Sequence, residues 1–226
     1  MLLGTIINVV AVAVGTLIGL ALKRRLPERI TSIAMQGLGL VTALIGVNMI
    51  IVTENVLVVL VSIVVGGVLG ELLHIEARLD TFGAKVEAKL SKEKGMFARA
   101  FVTSSLLYCV GPMAILGALQ DGLRGDYSIL LTKSGLDGVA SVAFASTLGI
   151  GVLFSAVPLT LVQGSIAVCA SALEPFLSSS IINAMTATGG LLILGIAFNI
   201  LQIAKIKVGN LLPAILVAAF LSGLVP

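Results

Sequence analysis

Residues 1–29 read MLLGTIINVVAVAVGTLIGLALKRRLPER, an apolar run that ends in the basic cluster Lys23, Arg24, Arg25 and Arg29. A bilayer core about 30 Å thick needs about 20 apolar residues in helical form, and residues 2–22 supply them. A secretory signal would place its charge before an apolar segment of about 7–15 residues. Here Met1-Leu2-Leu3 is uncharged and the positive charge comes after the run. The segment therefore reads as a first membrane span with the N-terminus outside and its basic end in the cytoplasm.

The same reasoning continues along the chain. Apolar stretches at 2–22, 30–51, 56–74, 100–120, 129–155, 157–173, 181–203 and 208–225 predict about eight transmembrane helices. Short alternating segments, the mark of a closed β-barrel, do not occur in the sequence. The expected fold is thus an all-α polytopic membrane protein, with residues 1–226 forming a single transmembrane domain. Composition agrees. Of 226 residues 58% are hydrophobic before 25 glycines are counted, and only 11% are charged, against about 25% in soluble domains. A soluble enzyme, a nucleic-acid binder and a disordered chain are excluded on these grounds. The net charge of +3 follows from cytoplasmic loops rather than from a nucleic-acid partner. Cys109 and Cys169 both lie inside apolar runs and imply no disulfide framework.

Eight spans put the loops after the first, third, fifth and seventh in the cytoplasm and both termini outside. Arg78, Lys85, Lys89, Lys92, Lys94 and Arg99 then join the first cluster on that side, as do Lys205 and Lys207. Of the 14 basic residues only Arg124 and Lys133 are left over. Within the second of these connections, between the third and fourth spans at 75–95, Ile75, Leu79, Phe82, Val86 and Leu90 recur at helical spacing. Arg78, Lys85, Glu87 and Lys89 fill the opposite face. Such a segment is either a cytoplasmic amphipathic interfacial helix or a connector packed on the protein, with Gly95 as its stop.

The chain also matches itself. Residues 30–50 overlay 181–201, with Gly39, Leu40, Ile45 and Asn48 on Gly190, Leu191, Ile196 and Asn199. Asn55 and Asn210 each open a further apolar run. Because the second and seventh spans run in opposite directions, helices 2–3 and 7–8 form a candidate inverted-topology repeat, an architecture that sets transporter sites at the repeat interface. Chance similarity between Leu/Gly/Ala helices is the other reading.

Polar groups inside a bilayer are costly and call for an explanation. The fourth span carries Thr103, Ser104 and Ser105, then Gly111-Pro112. Pro112 lacks an N–H and clashes with the preceding turn, which predicts a broken or kinked helix there; the break serves a solute or only packing. Gln120, Asp121, Gly122, Arg124 and Asp126 read as an outer loop, either a pore entrance or a solvated turn. In the fifth span Lys133, Asp137 and Ser141 follow at i, i+4 steps and share one face, beside Ser134. Lys133 and Asp137 can pair, as an ion or proton site or as a structural pair. Asn8, Asn48, Asn199, Gln36 and Gln163 are isolated amides, suited to interhelical hydrogen bonding. Glu71 and His74 are too few to specify a metal. Gly15/Gly19 and Gly66/Gly70 permit close packing within the chain or between subunits.

The block from Cys109 to Gly151, CVGPMAILGALQDGLRGDYSILLTKSGLDGVASVAFASTLGIG, resembles the signature of a bacterial membrane-protein family, domain-of-unknown-function family 554, the YdfK-like or YqgA-like proteins. GTIINVVAVAVGTLIG (4–19) with RLPER (25–29) is similar to that family's start, and VGNLLPA (208–214) to its end. The resemblance implies a multi-helix protein of the bacterial inner membrane and leaves its substrate open.

Function then rests on the residues. A Walker loop, HExxH, GxSxG and TVGYG are all missing from the sequence, and His74 is the sole histidine, so ATP hydrolysis, Ser/His catalysis and a potassium filter are disfavoured. The chain is expected to be no enzyme, to need no cofactor and to hold no metal, hydroxyls and amides outnumbering carboxylates. The leading expectation is a secondary transporter for an ion or small polar solute. Its candidate binding residues are Asp137, Lys133, Ser141, Thr103, Ser104, Gly111, Pro112, Gln120, Asp121, Asn48 and Asn199. Its partners are the lipid bilayer and that solute, with no nucleic acid, and a homodimer is compatible with the short helices. A passive channel, distinguished by non-saturating flux, is one alternative. A non-transporting scaffold or sensor, indifferent to Asp137→Asn, is the other.

Overall fold

A computed structural model describes residues 2–23, 27–53, 55–90 and 96–224. Arg24, Arg25, Lys92, Lys94 and Gly95 lie outside the described residues, as do the side chains of Pro112 and of Val86 to Leu90. Among the described residues all regular structure is helical. The helices are α1 (Leu3–Lys23), α2 (Glu28–Ile50), α3 (Val56–Leu72), α4 (Ile75–Leu90), α5 (Phe97–Cys109), α6 (Pro112–Arg124), α7 (Ser128–Leu148) and α8 (Gly151–Phe154). After these come α9 (Ala156–Val168), α10 (Ala170–Leu173), a 3-10 turn at Glu174–Phe176, α11 (Ser179–Ile200), α12 (Val208–Leu211) and α13 (Pro213–Leu224).

Among the described residues four segments are long and apolar enough to cross a membrane: Leu3–Lys23, Ser32–Ile50, Gly151–Val168 and Ser179–Ile200. They become six when α3 with the start of α4, bent by 57°, and α5 with α6, bent by 56°, each count as one. The coarse expectation of an all-helical membrane protein therefore holds, with four to six candidate spans where the sequence suggested about eight. Two runs account for the difference. The 21-residue α7 carries Lys133 and Asp137, and Val208–Leu224 forms only shorter apolar helix.

Some expected boundaries move. The fourth run is interrupted where anticipated: α5 stops at Cys109, Gly111 takes φ 139° and ψ 156°, and Pro112 starts α6. That backbone region is essentially closed to residues with a Cβ, so glycine and proline share the work of the break. The outer-loop reading of Gln120-Asp121-Gly122 is corrected, because α6 continues to Arg124 and only Gly125–Tyr127 connect it to α7. The fifth run, expected to reach 155, ends at Leu148, where Gly149 turns the chain at φ 90°.

The chain forms two compact units, residues 1–34 with 83–176 and residues 35–82 with 177–226. In the first, α1 lies along α7. The buried face of α1 is Gly4, Thr5, Asn8, Val12, Gly15, Thr16 and Gly19, a small-residue stripe at helical spacing. A Cβ at Gly15 would meet the Gly138 carbonyl of α7, and one at Gly19 the Val142 carbonyl. This stripe brings the two backbones close.

In the second unit α3, α11 and α13 share an apolar cluster of Val58, Ala184 and Ala218 with Leu221 against it. Gly66 abuts Ala214 and Gly70 abuts Asn210, so both small-residue pairs of the sequence pack within the chain. Gly39 of α2 meets Ile200 and Leu201, while Gly190 of α11 meets Met49 and Ile50. At the α3–α4 bend, Asn210 accepts from the Glu76 N–H at 2.7 Å, and Glu76 in turn accepts from the Gly209 N–H at 2.6 Å. Glu71 pairs with Lys207 at 3.0 Å.

Candidate functional site

The stripe on α1 does more than pack. It leaves Asn8, one turn before Val12, facing the polar face of α7, where Lys133, Asp137 and Ser141 are all buried. Lys133 Nζ donates to both Asp137 oxygens, at 2.9 and 2.8 Å. The side chains of the pair are only 8% and 6% exposed, so water does little to screen it. Asn8 Nδ2 donates to Asp137 Oδ2 at 3.0 Å and lies 3.5 Å from Gln163 Oε1 of α9, the outer limit of a hydrogen bond. One turn further along α7, Ser141 Oγ is 2.7 Å from Tyr108 Oη of α5. Helices α1, α7 and α9 of one unit thus share the polar group around Asp137, and α5 and α7 share the neighbouring Tyr108–Ser141 pair.

The remaining expected residues divide between places. Thr103 and Ser104 are buried on α5, and Ser104 is one turn before Tyr108. The Gly111–Pro112 break directly follows Tyr108 and Cys109 in the chain. Gln120 is half-buried on α6. Asp121 is fully buried and accepts the Gly4 N–H at 3.0 Å. That bond satisfies one of the free donors at the start of α1, where a carboxylate also suits the helix dipole. Asn48 and Asn199 belong to the other unit. Asn48 is exposed on α2, and Asn199 clamps the turn after α11, donating to the Ile206 carbonyl at 2.7 Å and accepting its N–H at 2.8 Å.

Sequence reasoning missed Tyr108 altogether and gave Asn8 and Gln163 only as weaker candidates, better suited to interhelical hydrogen bonding. The available signals were slight. Tyr108 is one of two tyrosines and sits four residues after Ser104 against the helix break, while Asn8 and Gln163 stand alone in apolar runs. Among the described residues no three His, Cys, Asp or Glu converge on a common point suited to a metal. Glu71 is engaged by Lys207, and His74 Nδ1 lies 3.1 Å from the Leu72 carbonyl.

Chemically, the centre combines a neutralised ion pair with amide and hydroxyl groups whose hydrogen-bonding capacity is only partly used. Among the described residues, Asn8 Oδ1, Gln163 Nε2, Thr5 Oγ1, Thr16 Oγ1, Thr103 Oγ1 and Asp121 Oδ1 are buried without a hydrogen-bond partner. Buried polar atoms of native proteins nearly always have one. Three of these six atoms, those of Thr5, Asn8 and Thr16, lie on α1. Outside it, in the connection before α7, the Asp126 carboxylate accepts from the Ser128 N–H at 3.0 Å and its hydroxyl at 2.6 Å, which holds that carboxyl below its usual range.

The chain is similar to two bacterial proteins over nearly all its length. It is 36% identical over 220 residues to "Uncharacterized membrane protein YdfK" of Bacillus subtilis, covering 95% of this chain and 93% of the relative. It is 34% identical over 227 residues to "Uncharacterized protein YqgA" of Escherichia coli, covering 98% and 97%. No solved structure matches it. The family described as "Protein of unknown function (DUF554)" matches residues 3–223. That match takes in the block from Cys109 to Gly151 and both end stretches that resembled the family, and this membrane protein belongs to the DUF554 family.

Proposed function

We propose that the chain is a secondary transporter that moves an ion or small polar solute across the bacterial inner membrane, using the Lys133/Asp137/Ser141 face as its binding site. The observation that carries this reading is the buried Lys133–Asp137 pair, held by Asn8 from another helix, with the Asn8 oxygen and the neighbouring Gln163 nitrogen buried and unpartnered among the described residues. Isolating so much polarity among apolar helices is costly, and a solute-binding centre gives it a use. The broken α5–α6 segment adds free backbone groups at the start of α6, as discontinuous helices do in transporters. With no phosphate-cradling loop in the sequence, an ion or solute gradient would drive the movement.

This reading keeps eight passes, with both termini outside. Each of the eight apolar runs is largely helical, and in this reading α7 crosses with its polar face shielded by α1. It also keeps the inverted repeat of helices 2–3 and 7–8. Support comes from reciprocal packing: under the alignment Gly39 corresponds to Gly190, Met49 to Ile200 and Ile50 to Leu201. Gly39 packs on the second pair of α11 residues, and Gly190 packs on their α2 counterparts. A homodimer is compatible with this arrangement.

The deciding experiment is a flux screen with the purified chain in sealed vesicles. Saturable uptake of a labelled solute, lost in Asp137→Asn while the variant stays folded, is the expected result. Non-saturating flux would indicate a channel. Flux unaltered by Asp137→Asn would sink the assignment of the site.

A further inference from the structure

We infer that the polar centre takes a small net-neutral solute that presents a hydrogen-bond donor and acceptor side by side, such as an amide, a hydroxyl compound or an amino-acid zwitterion, and not a bare ion. This rests on the transporter reading above and names the class of its substrate.

The argument starts from charge. Lys133 and Asp137 cancel, Asp137 being engaged through both oxygens by Lys133 and through one by Asn8. The side chains around this pair are neutral: Asn8 donates to Asp137, Gln163 lies 3.5 Å from Asn8, and Ser141, one turn along α7 from Asp137, bonds Tyr108. A bare cation would have to take Asp137 from Lys133 and leave an ammonium buried, and a bare anion would face Asp137. Either outcome leaves an uncompensated charge away from water.

Unused hydrogen-bonding capacity points the same way. Asn8 and Gln163 are both fully buried, and their amides are neighbours, with Asn8 Nδ2 3.5 Å from Gln163 Oε1. Among the described residues the Asn8 oxygen, an acceptor, and the Gln163 nitrogen, a donor, are each without a partner. One ligand group that both donates and accepts satisfies the two together. A cation would satisfy only the oxygen and an anion only the nitrogen. Thr5, one turn before Asn8 on the same buried face, adds a further unpartnered hydroxyl.

The test uses the full chain in sealed vesicles, with labelled glycine, acetamide and glycerol as neutral probes and sodium and chloride as ionic ones. Saturable uptake of at least one neutral probe is expected, with neither ion carried alone. Gln163→Met keeps the volume and removes the donor, so it should weaken that probe about tenfold, the loss expected for one buried hydrogen bond left unmade. Gln163→Glu adds a negative charge and should admit sodium. Independently of any variant, the neutral probe should raise the unfolding temperature of the wild-type chain in detergent, while sodium should not. Uptake of sodium or chloride alone overturns the inference and leaves the transporter reading standing. Uptake of no probe overturns both. Neutral uptake that is indifferent to a folded Gln163→Met variant removes this site from the transport path.

Discussion

Removing the Asp137 charge and then removing the whole ion pair should separate a structural role from a transport role. Asp137→Asn keeps the side chain's shape but replaces a carboxylate that accepts from Lys133 at 2.8 and 2.9 Å and from Asn8 at 3.0 Å. One position would now carry an NH2 facing existing donors, and Lys133 would be left without its counter-charge. With the two side chains 8% and 6% exposed, solvent cannot make up the loss. Breaking a buried pair in this way costs about 3–5 kcal/mol. Lys133→Met combined with Asp137→Leu removes both charges. Replacing a whole buried pair by apolar groups is neutral or stabilising by about 1–4 kcal/mol, offset by about 1 kcal/mol for the Asn8 hydrogen bond that disappears. The double variant is therefore expected within about 2 kcal/mol of wild type. Denaturant unfolding in detergent measures the stabilities, and the vesicle assay measures flux. The single variant should lose about 3 kcal/mol and all transport; the double variant should regain stability and remain inactive. A double variant that recovers both properties would show that the pair only holds helices together. A single variant that loses less than about 1 kcal/mol would contradict the burial on which the reasoning depends.

Four further outcomes follow from other contacts. Gly19→Leu should push α1 off α7, since even a Cβ there meets the Val142 carbonyl, and should cost at least about 3 kcal/mol with loss of flux as Asn8 withdraws from Asp137. Gly135→Ala on the same α7 has open space around it and should gain about 0.5–1 kcal/mol in the same unfolding assay. Gly111→Ala meets no neighbouring atom, but its φ of 139° should cost about 1–3 kcal/mol in backbone strain alone, again read by unfolding. For pH, Asp126 titrates below its usual range through its two bonds from Ser128, so its contribution is present above the ordinary carboxylate range and is lost as pH falls through the lowered value. Ser128→Ala should move the Asp126 carboxyl midpoint upward in an NMR titration.

Helix type and approximate extent were readable because one-dimensional patterns suffice for them. An apolar run of about 20 residues has few alternatives, and a Gly-Pro pair in such a run breaks a helix for reasons local to the backbone. The errors came where polarity within a helix was read as a loop. Gln120-Asp121-Gly122 looked like solvated chain, yet Asp121 is helical and buried because its partner is the Gly4 N–H, 117 positions away. Hydropathy sees the cost of that carboxylate and not the donor that offsets it. Likewise α7 falls below the apolarity of a typical span because Lys133, Ser134, Asp137 and Ser141 are sheltered by neighbouring helices.

The candidate site divides along the same line. Lys133, Asp137 and Ser141 were found together because i, i+4 spacing is a property of one helix, whereas Asn8 and Gln163 reach that face across sequence separations of 129 and 155. No pattern along the chain distinguishes an amide that glues two helices from one that serves a solute, since both are lone polar residues in apolar runs. The distinction lies in what remains after the glue has formed. Asn199 illustrates the first kind: its oxygen and its nitrogen are both engaged with Ile206, which leaves it no role beyond closing a turn. Asn8 illustrates the second, with its nitrogen on Asp137 and its oxygen buried and unpartnered among the described residues. The sequence favoured Asn199 as a binding residue over Asn8; the three-dimensional accounting of donors and acceptors reverses that order, closing Asn199 in a turn and leaving Asn8 the unused acceptor on which the proposed binding centre rests.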